Sequence, residues 1–311
     1  VLYKSELLVI TQVYHMAIPH PNTLIDVYAK KGRPYVHLMR LHRPIGTWLC
    51  LLPALWGLHL GAPNFDIKNT FFFIVGAIFI RGAGCTINDI WDRNLDAHVT
   101  RTKMRPLAAG LLSKKQALIF FILQMMVAGI ILFTFNARVI MMGLFIVIPI
   151  LIYPLMKRVT YWPQIFLGLV FNWGCLMGWY VHQHNMTAEI FWMYSACVFW
   201  TIGYDTVYAF QDYADDRTWG AKSSALVIGH AHALKFTAAC YLLFSFFLFG
   251  AAFMGTHIIL SIGLIGIAPW IYKNIRNLDP TSSTACQDFF LWNKMIGITI
   301  LILIILSKLM G

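Results

Sequence analysis

Charge is scarce in this 311-residue sequence: Asp, Glu, Lys and Arg together make up 12% of it, against roughly a quarter in soluble domains. That shortage excludes a domain kept in solution by its own surface. Acids are scarcer still, 13 against 24 Lys and Arg. The cysteines, Cys50, Cys85, Cys175, Cys197, Cys240 and Cys286, are scattered, contain no CxxC pair and lie mostly in or at the ends of apolar runs, so they read as packing residues. His182 and His184 lack the neighbouring ligands that a closed metal shell needs. The first residues carry neither an Arg- and Ser-rich transit composition nor a signal peptide with a cleavage site, and read as mature protein lying on the membrane surface.

What the sequence does have is apolar length. Hydrophobic residues make up 59%, the mean hydropathy is +0.67, and runs long enough for spans of roughly 20 residues recur along the chain. Bounded by charge, Pro or polar clusters, these runs predict nine spans, at 45–62, 69–87, 116–134, 138–155, 164–182, 188–210, 233–254, 256–272 and 289–309. The expected fold is therefore an all-α polytopic membrane protein with nine transmembrane helices filling 38–311, preceded by a cytoplasmic or interfacial segment at 1–37. If the N-terminus is cytoplasmic, 21 of the 24 Lys and Arg fall on that side, leaving Lys68, Arg138 and Lys308. Basic loops resist translocation, so the net charge of +11 is explained by topology and anionic lipid, with no nucleic acid partner.

Seven of the 13 acids fall in two strings: Asp89, Asp92 and Asp96 in NDIWDRNLD, and Asp205, Asp212, Asp215 and Asp216 in YDTVYAFQDYADD. Both strings close a predicted span at the cytoplasmic face, where they can share one cavity. Asn88, Asp92 and Asp96 recur every four residues, as do Asp212 and Asp216, so each set lines one stripe of a helix. Carboxylates at about 4 Å repel by several kcal/mol in a partly buried site and stay ionised only beside cations. A divalent metal is the natural counter-charge. Mg2+ takes hard oxygen ligands, often one or two carboxylates, and completes its shell with water and phosphate oxygens, so the pattern suits a metal-bridged diphosphate.

Basic residues follow closely. Arg101, Lys103 and Arg105 come directly after the first string and can hold phosphate oxygens, Arg with a planar fork and Lys as a point charge. Arg40 and Arg43 in LMRLHRPIG, and Lys157 and Arg158 in YPLMKRVTYWPQ, are further candidates for anion capture on the same side. Lys114 and Lys115 belong to topology.

With these strings in view, the sequence resembles the UbiA superfamily of intramembrane prenyltransferases: NDIWDRNLD with TRTKMRPLAAG, YPLMKR, and YDTVYAFQDYADD with KSSAL carry the likeness, from about Leu38 to the last span. It is most similar to the branch acting on 4-hydroxybenzoate in ubiquinone synthesis. The resemblance implies nine helices around a central cavity open sideways to lipid, with Mg2+ held by Asn88, Asp92, Asp96, Asp212 and Asp216 and supported by Asp89 and Asp215. It further implies transfer of a prenyl group from polyprenyl diphosphate to the carbon ortho to the hydroxyl of 4-hydroxybenzoate. In that reading Arg43, Arg101, Lys103, Arg105 and Lys157 bind substrate, Arg158 pairs with the acceptor carboxylate, and Asp205 faces its hydroxyl. Phe171, Trp173, Trp179, Trp200 and Tyr204 are candidates to line the prenyl tunnel. Asp215 beside Asp216 leaves the register of the second string ambiguous. Homogentisate or a naphthoate are rival acceptors, and an ion-coupled transporter is the remote rival, disfavoured because the acids gather at one face. A bacterial inner membrane is the expected location and a mitochondrial inner membrane the alternative.

Overall fold

In hydrocarbon every backbone N–H and C=O must be satisfied within the protein, so apolar runs of this length become helices. The computed structural model describes residues 32–99 and 101–310, and among these there is no strand. A short helix α1 (Arg33–Leu38) precedes α2 (Ile45–Gly61), α3 (Ile67–Asp96), α4 (Lys114–Leu132) and α5 (Ala137–Ile152). A 3-10 turn at Tyr153–Leu155 leads to α6 (Met156–Val159), α7 (Pro163–Phe171), α8 (Trp173–Trp179) and α9 (Ala188–Ala209). A second 3-10 turn, Phe210–Asp212, leads to α10 (Tyr213–Trp219), α11 (Ser224–Met254), α12 (Ile258–Arg276) and α13 (Ser283–Met310).

Six of these stretches are long and apolar enough to cross a membrane: α3, α4, α5 continued through α6, α11, α12 and α13. The chain is an integral membrane protein. Of the other three expected spans, the one at 45–62 is α2, an apolar helix of 17 residues. The one at 188–210 is α9, of 22 residues, and the one at 164–182 is broken into α7 and α8. Length and apolarity alone thus support six of the nine. The segment expected at 1–37 lies outside the described residues as far as residue 31.

Local chemistry explains the departures. Asp66 caps α3 by accepting the Asn69 N–H at 2.9 Å. The helix then runs for 30 residues, about 45 Å at 1.5 Å per residue, which outlasts a hydrocarbon core of about 30 Å. Its last turns therefore project at the basic end and carry the first acidic string. At the α7–α8 break, fully buried Asn172 donates to the carbonyls of Gly168 at 2.7 Å and Cys197 at 3.1 Å and to Thr201 Oγ1 at 2.7 Å. The side chain thus ties the interrupted span to α9. In α11, Gly229 adopts φ 63°, ψ 163°, open to glycine but not to residues with a Cβ, and the helix kinks there.

The core runs through α2, α9, α11 and α13, where Trp56, Trp200, Tyr204, Tyr241 and Phe244 are fully buried. Asn293 on α13 accepts from Trp200 Nε1 at 2.6 Å and from the Tyr241 hydroxyl, so the indole and phenol donors are satisfied without water. Close backbone approach sets α2 against α8: a Cβ on Gly57 would lie 1.9 Å from the Cys175 carbonyl oxygen, and one on Gly178 would lie 2.2 Å from that of Ala54. Small residues at such crossings are how membrane helices gain packing where lipid is as apolar as their side chains. Helix α4 buries only Ala117 and Gln124 and turns Ile119, Ile122, Met126 and Ile130 to lipid.

Gly57→Ala is expected to force α2 and α8 apart and to destabilise the protein by about 1–3 kcal/mol, as overpacking does. A lowered thermal midpoint in detergent, with helicity retained at low temperature, is the readout.

Candidate active site

A cavity of about 690 Å³ joins the basic end to the middle of the bundle. At the basic end its walls include Arg40, Arg43, Asn88, Asp89, Arg101 and Arg105, and from α9 come Tyr204, Asp205 and Tyr208. Deeper in, Arg81, Cys85 and Tyr153 give way to apolar Phe72, Ile80, Ile131, Leu144, Val147 and Phe171. One end suits an anion and the other a hydrocarbon.

The acids of the first string are buried and each recruits a cation. Asp89, 1% exposed, accepts from Arg40 Nη2 with both oxygens, at 2.7 and 2.9 Å, and from Arg105 Nη1 at 3.2 Å. The same Arg105 nitrogen donates to Asp96 at 2.8 Å. Asp92, fully buried, takes Lys157 Nζ on one oxygen and lies 3.4 Å from Arg158 Nη2 on the other. The stripe Asn88, Asp92, Asp96 is therefore shared out, with Asn88 on the cavity wall, Asp96 turned to Arg105 and Asp92 turned to α6. Arg40 reaches Asp89 from a backbone with φ 61°, a conformation costly for a residue with a Cβ, and also donates to the His37 carbonyl at 2.8 Å.

The second string meets the first through Arg101. Its Nε donates to Asp212 Oδ1 at 2.8 Å and its Nη2 to Asp212 Oδ2, while Nη1 donates to the Tyr208 hydroxyl at 2.6 Å. The guanidinium also lies over the Tyr208 ring, 5.0 Å from its centroid. Burial, and then the charge of Asp212, push the Asp216 carboxyl up to about 6. Among the described residues no group of three or more His, Cys, Asp or Glu converges as a finished metal shell. The donors nevertheless fit a hard divalent cation that brings its own phosphate and water ligands: they are mostly carboxylates, and Asp216 is raised by burial and by the charge of Asp212, which a cation would offset.

The remaining predicted residues divide. Arg43 lines the cavity and makes no ion pair among the described residues. Tyr204 is 1% exposed, with its hydroxyl 3.1 Å from Thr201 Oγ1. Phe171 and Trp173 line the cavity, whereas Trp179 and Trp200 are packed in the core. Lys103 is exposed and stands off the cavity, and Asp215 is half-buried. Arg158 is 52% exposed, donates to the Trp91 carbonyl at 3.1 Å and is not part of the cavity wall.

Sequence reasoning missed Arg81, counting it among the topological charges of residues 81–115. Its guanidinium lines the cavity, lies 5.5 Å from the Phe171 ring centroid and donates to Cys85 Sγ at 2.9 Å. Its buried Nε has no partner, and among the described residues no carboxylate pairs with it. Gly46 makes the room, since a Cβ there would lie 2.7 Å from that nitrogen. The signal was available: an Arg inside an apolar run, seven residues before Asn88, is a functional-site candidate by default because membranes tolerate such a charge poorly.

Residues 50–295 match the UbiA prenyltransferase family. Among curated proteins, "4-hydroxybenzoate polyprenyltransferase, mitochondrial" of Drosophila pseudoobscura pseudoobscura is 38% identical over 298 residues, covering 93% of this chain and 74% of the relative. "4-hydroxybenzoate geranyltransferase 1" of Lithospermum erythrorhizon is 39% identical over 297 residues, covering 92% and 94%. Among solved structures, a UbiA homolog from Archaeoglobus fulgidus bound to GPP and Mg2+ superposes with a TM-score of 0.68 at 20% identity, covering 89% of this chain and 98% of that one.

Asp89→Asn should weaken the hold on both Arg40 and Arg105 and loosen the segments that carry them. Faster tryptic cleavage after Arg40 and after Lys103, in the loop that carries Arg105, with the bundle otherwise intact, is the expected result.

Proposed function

The chain belongs to the UbiA prenyltransferase family, and from that premise we propose that it transfers a polyprenyl group from polyprenyl diphosphate to the carbon ortho to the hydroxyl of 4-hydroxybenzoate. The observation that carries the reading is one cavity with two solvents: a basic, acid-bearing mouth for a diphosphate, an apolar sleeve for a prenyl chain, and an unpaired guanidinium, Arg81, between them. The names of the relatives support the acceptor.

Arg101 and Arg105 take phosphate oxygens, and as the allylic C–O bond breaks they stabilise the charge that gathers on the leaving diphosphate. Asn88, Asp92, Asp96, Asp212 and Asp216 would hold Mg2+, which when bound would supply the rest of that neutralisation. Arg81 pairs with the acceptor carboxylate and aims the ring at the allylic carbon. The family resemblance implies this role for Arg158, which instead stands with Lys157 on Asp92. The phenol directs attack to its ortho carbon, a C–C bond replaces the C–O bond, and Asp205 on the cavity wall accepts the ring proton. Phe171, Tyr204 and Tyr208 keep water from the allylic cation. The mitochondrial names of relatives support the mitochondrial inner membrane over the bacterial one, with the acidic end facing the matrix.

Membranes containing the protein should move label from radiolabelled 4-hydroxybenzoate into the lipid phase when given a polyprenyl diphosphate, and EDTA should stop it. Transfer to homogentisate or a naphthoate in its place would keep the family and overturn the acceptor. Asp92→Ala and Asp212→Ala should abolish turnover at any practical Mg2+ concentration. Arg81→Gln should raise KM for 4-hydroxybenzoate about 10- to 100-fold, the worth of one charged hydrogen-bonded pair, and leave KM for the prenyl diphosphate unchanged. Arg158→Ala should lower kcat without that shift.

A further inference from the structure

A second cavity of about 550 Å³ opens at the basic end beside the first. His42, Arg43, Ile45, Arg101 and Gln287 belong to the walls of both. The rest of its wall is mixed: Pro44 and Leu291 are apolar, while Gln211 from the turn before α10 and Ser283, Thr284 and Asp288 from the first turns of α13 supply hydrogen-bonding groups. Nothing in the reaction as derived above uses this space. Arg101 is already neutralised by Asp212, so the charges of the wall left unpaired among the described residues are Arg43 and Asp288, while burial, with His37, Arg40 and Arg43 nearby, pushes His42 in the same wall down to about 4 and keeps its ring neutral.

The two substrates of the proposed reaction differ in where they are soluble. A prenyl diphosphate arrives with its chain in lipid, along the apolar flank formed by Phe72, Ile131, Leu144 and Val147. A small aromatic carboxylate is a water-soluble anion, and on that flank it would shed its hydration with no partner to replace it. The second cavity offers what the flank does not: hydrogen-bonding walls, a guanidinium on Arg43 with no ion pair among the described residues, and a shared wall with the chamber that holds Arg81. Arg101 stands at that shared wall, fixed by Asp212 and Tyr208. Such an arrangement lets an anion approach positive charge without crossing hydrocarbon.

We propose that this second cavity is the entry and holding site for the aromatic carboxylate, from which it passes between Arg43 and Arg101 to Arg81, while the prenyl diphosphate enters separately from lipid. The inference rests on the prenyl-transfer reading and adds to it a polar binding site with a defined ligand class, a small aromatic monocarboxylate.

Thr284 and Ser283 are exposed and take no part in the chemistry, so they can be altered without touching the reacting groups. In proteoliposomes of the full chain, Thr284→Trp should narrow the cavity and raise KM for 4-hydroxybenzoate about tenfold, with kcat at saturating acceptor retained, as expected when only binding is lost. KM for the prenyl diphosphate should stay within about twofold. Thr284→Glu and Thr284→Lys should shift kcat/KM for the acceptor in opposite directions, down and up, and the difference should shrink as salt is raised. These charge variants also serve if the Trp variant fails to fold. Wild-type transfer with acceptor KM unchanged in all three variants, or with both substrates' KM raised equally, overturns the entry site and leaves the prenyl-transfer reading standing. A wild type that transfers nothing to 4-hydroxybenzoate overturns that reading and takes the entry site with it.

Discussion

Carboxylates buried at the end of a membrane bundle cannot stand alone, and the basic end of this protein is organised by that constraint. Asp89 and Asp92 are almost wholly removed from solvent, where an unpaired charge is far costlier than a paired one. Each therefore draws in cations from distant parts of the chain. Arg40 comes from the segment after α1, Arg105 from the loop after α3, and Lys157 with Arg158 from α6. These pairings fold the strap, the loop and the short helix inward over the cavity mouth. Leu38, Leu107, Leu112 and Ala117 then close an apolar cluster of their own beside them.

The same cations that neutralise the acids have the geometry to neutralise a diphosphate. Arg101 spends two of its nitrogens on Asp212 and a third on Tyr208, and Arg105 bridges Asp89 and Asp96. In the proposed reaction a diphosphate arriving with a divalent cation would offer each partner an exchange, metal for the carboxylates and phosphate oxygens for the arginines. The ion pairs hold the mouth together without substrate. Arg81 stands apart from this exchange. Among the described residues no carboxylate pairs with it, and in the proposed reaction that leaves it for the carboxylate of the acceptor.

The sequence by itself determined the solvent, the helices and the chemistry of the mouth. Apolar length against scarce charge fixed a membrane protein, and acids concentrated in two strings beside basic residues fixed a diphosphate-sized polar end, because composition and periodicity are local and survive without a fold. Span boundaries followed wherever polarity changed with the bilayer, as at Ile45–Gly61 and Ala137–Ile152. They failed at α3, which continues past Asn88 because a helix leaving the hydrocarbon can go on with polar residues. They failed again at Asn172, whose side chain lets a span break by bonding to α9.

Only the tertiary structure decided which charge meets which. Spacing put Asn88, Asp92 and Asp96 on one stripe, yet Arg105 from the loop after α3 and the two cations of α6 divide that stripe. Motif order nominated Arg158 for the acceptor carboxylate, yet α6 turns it onto Asp92 and half into solvent. Arg81 looked like a topological charge until the fold set it on the cavity wall with Gly46 making room for it. Pairing is a property of distance between segments remote in sequence, and a linear pattern holds the list of charges without the distances that assign their partners.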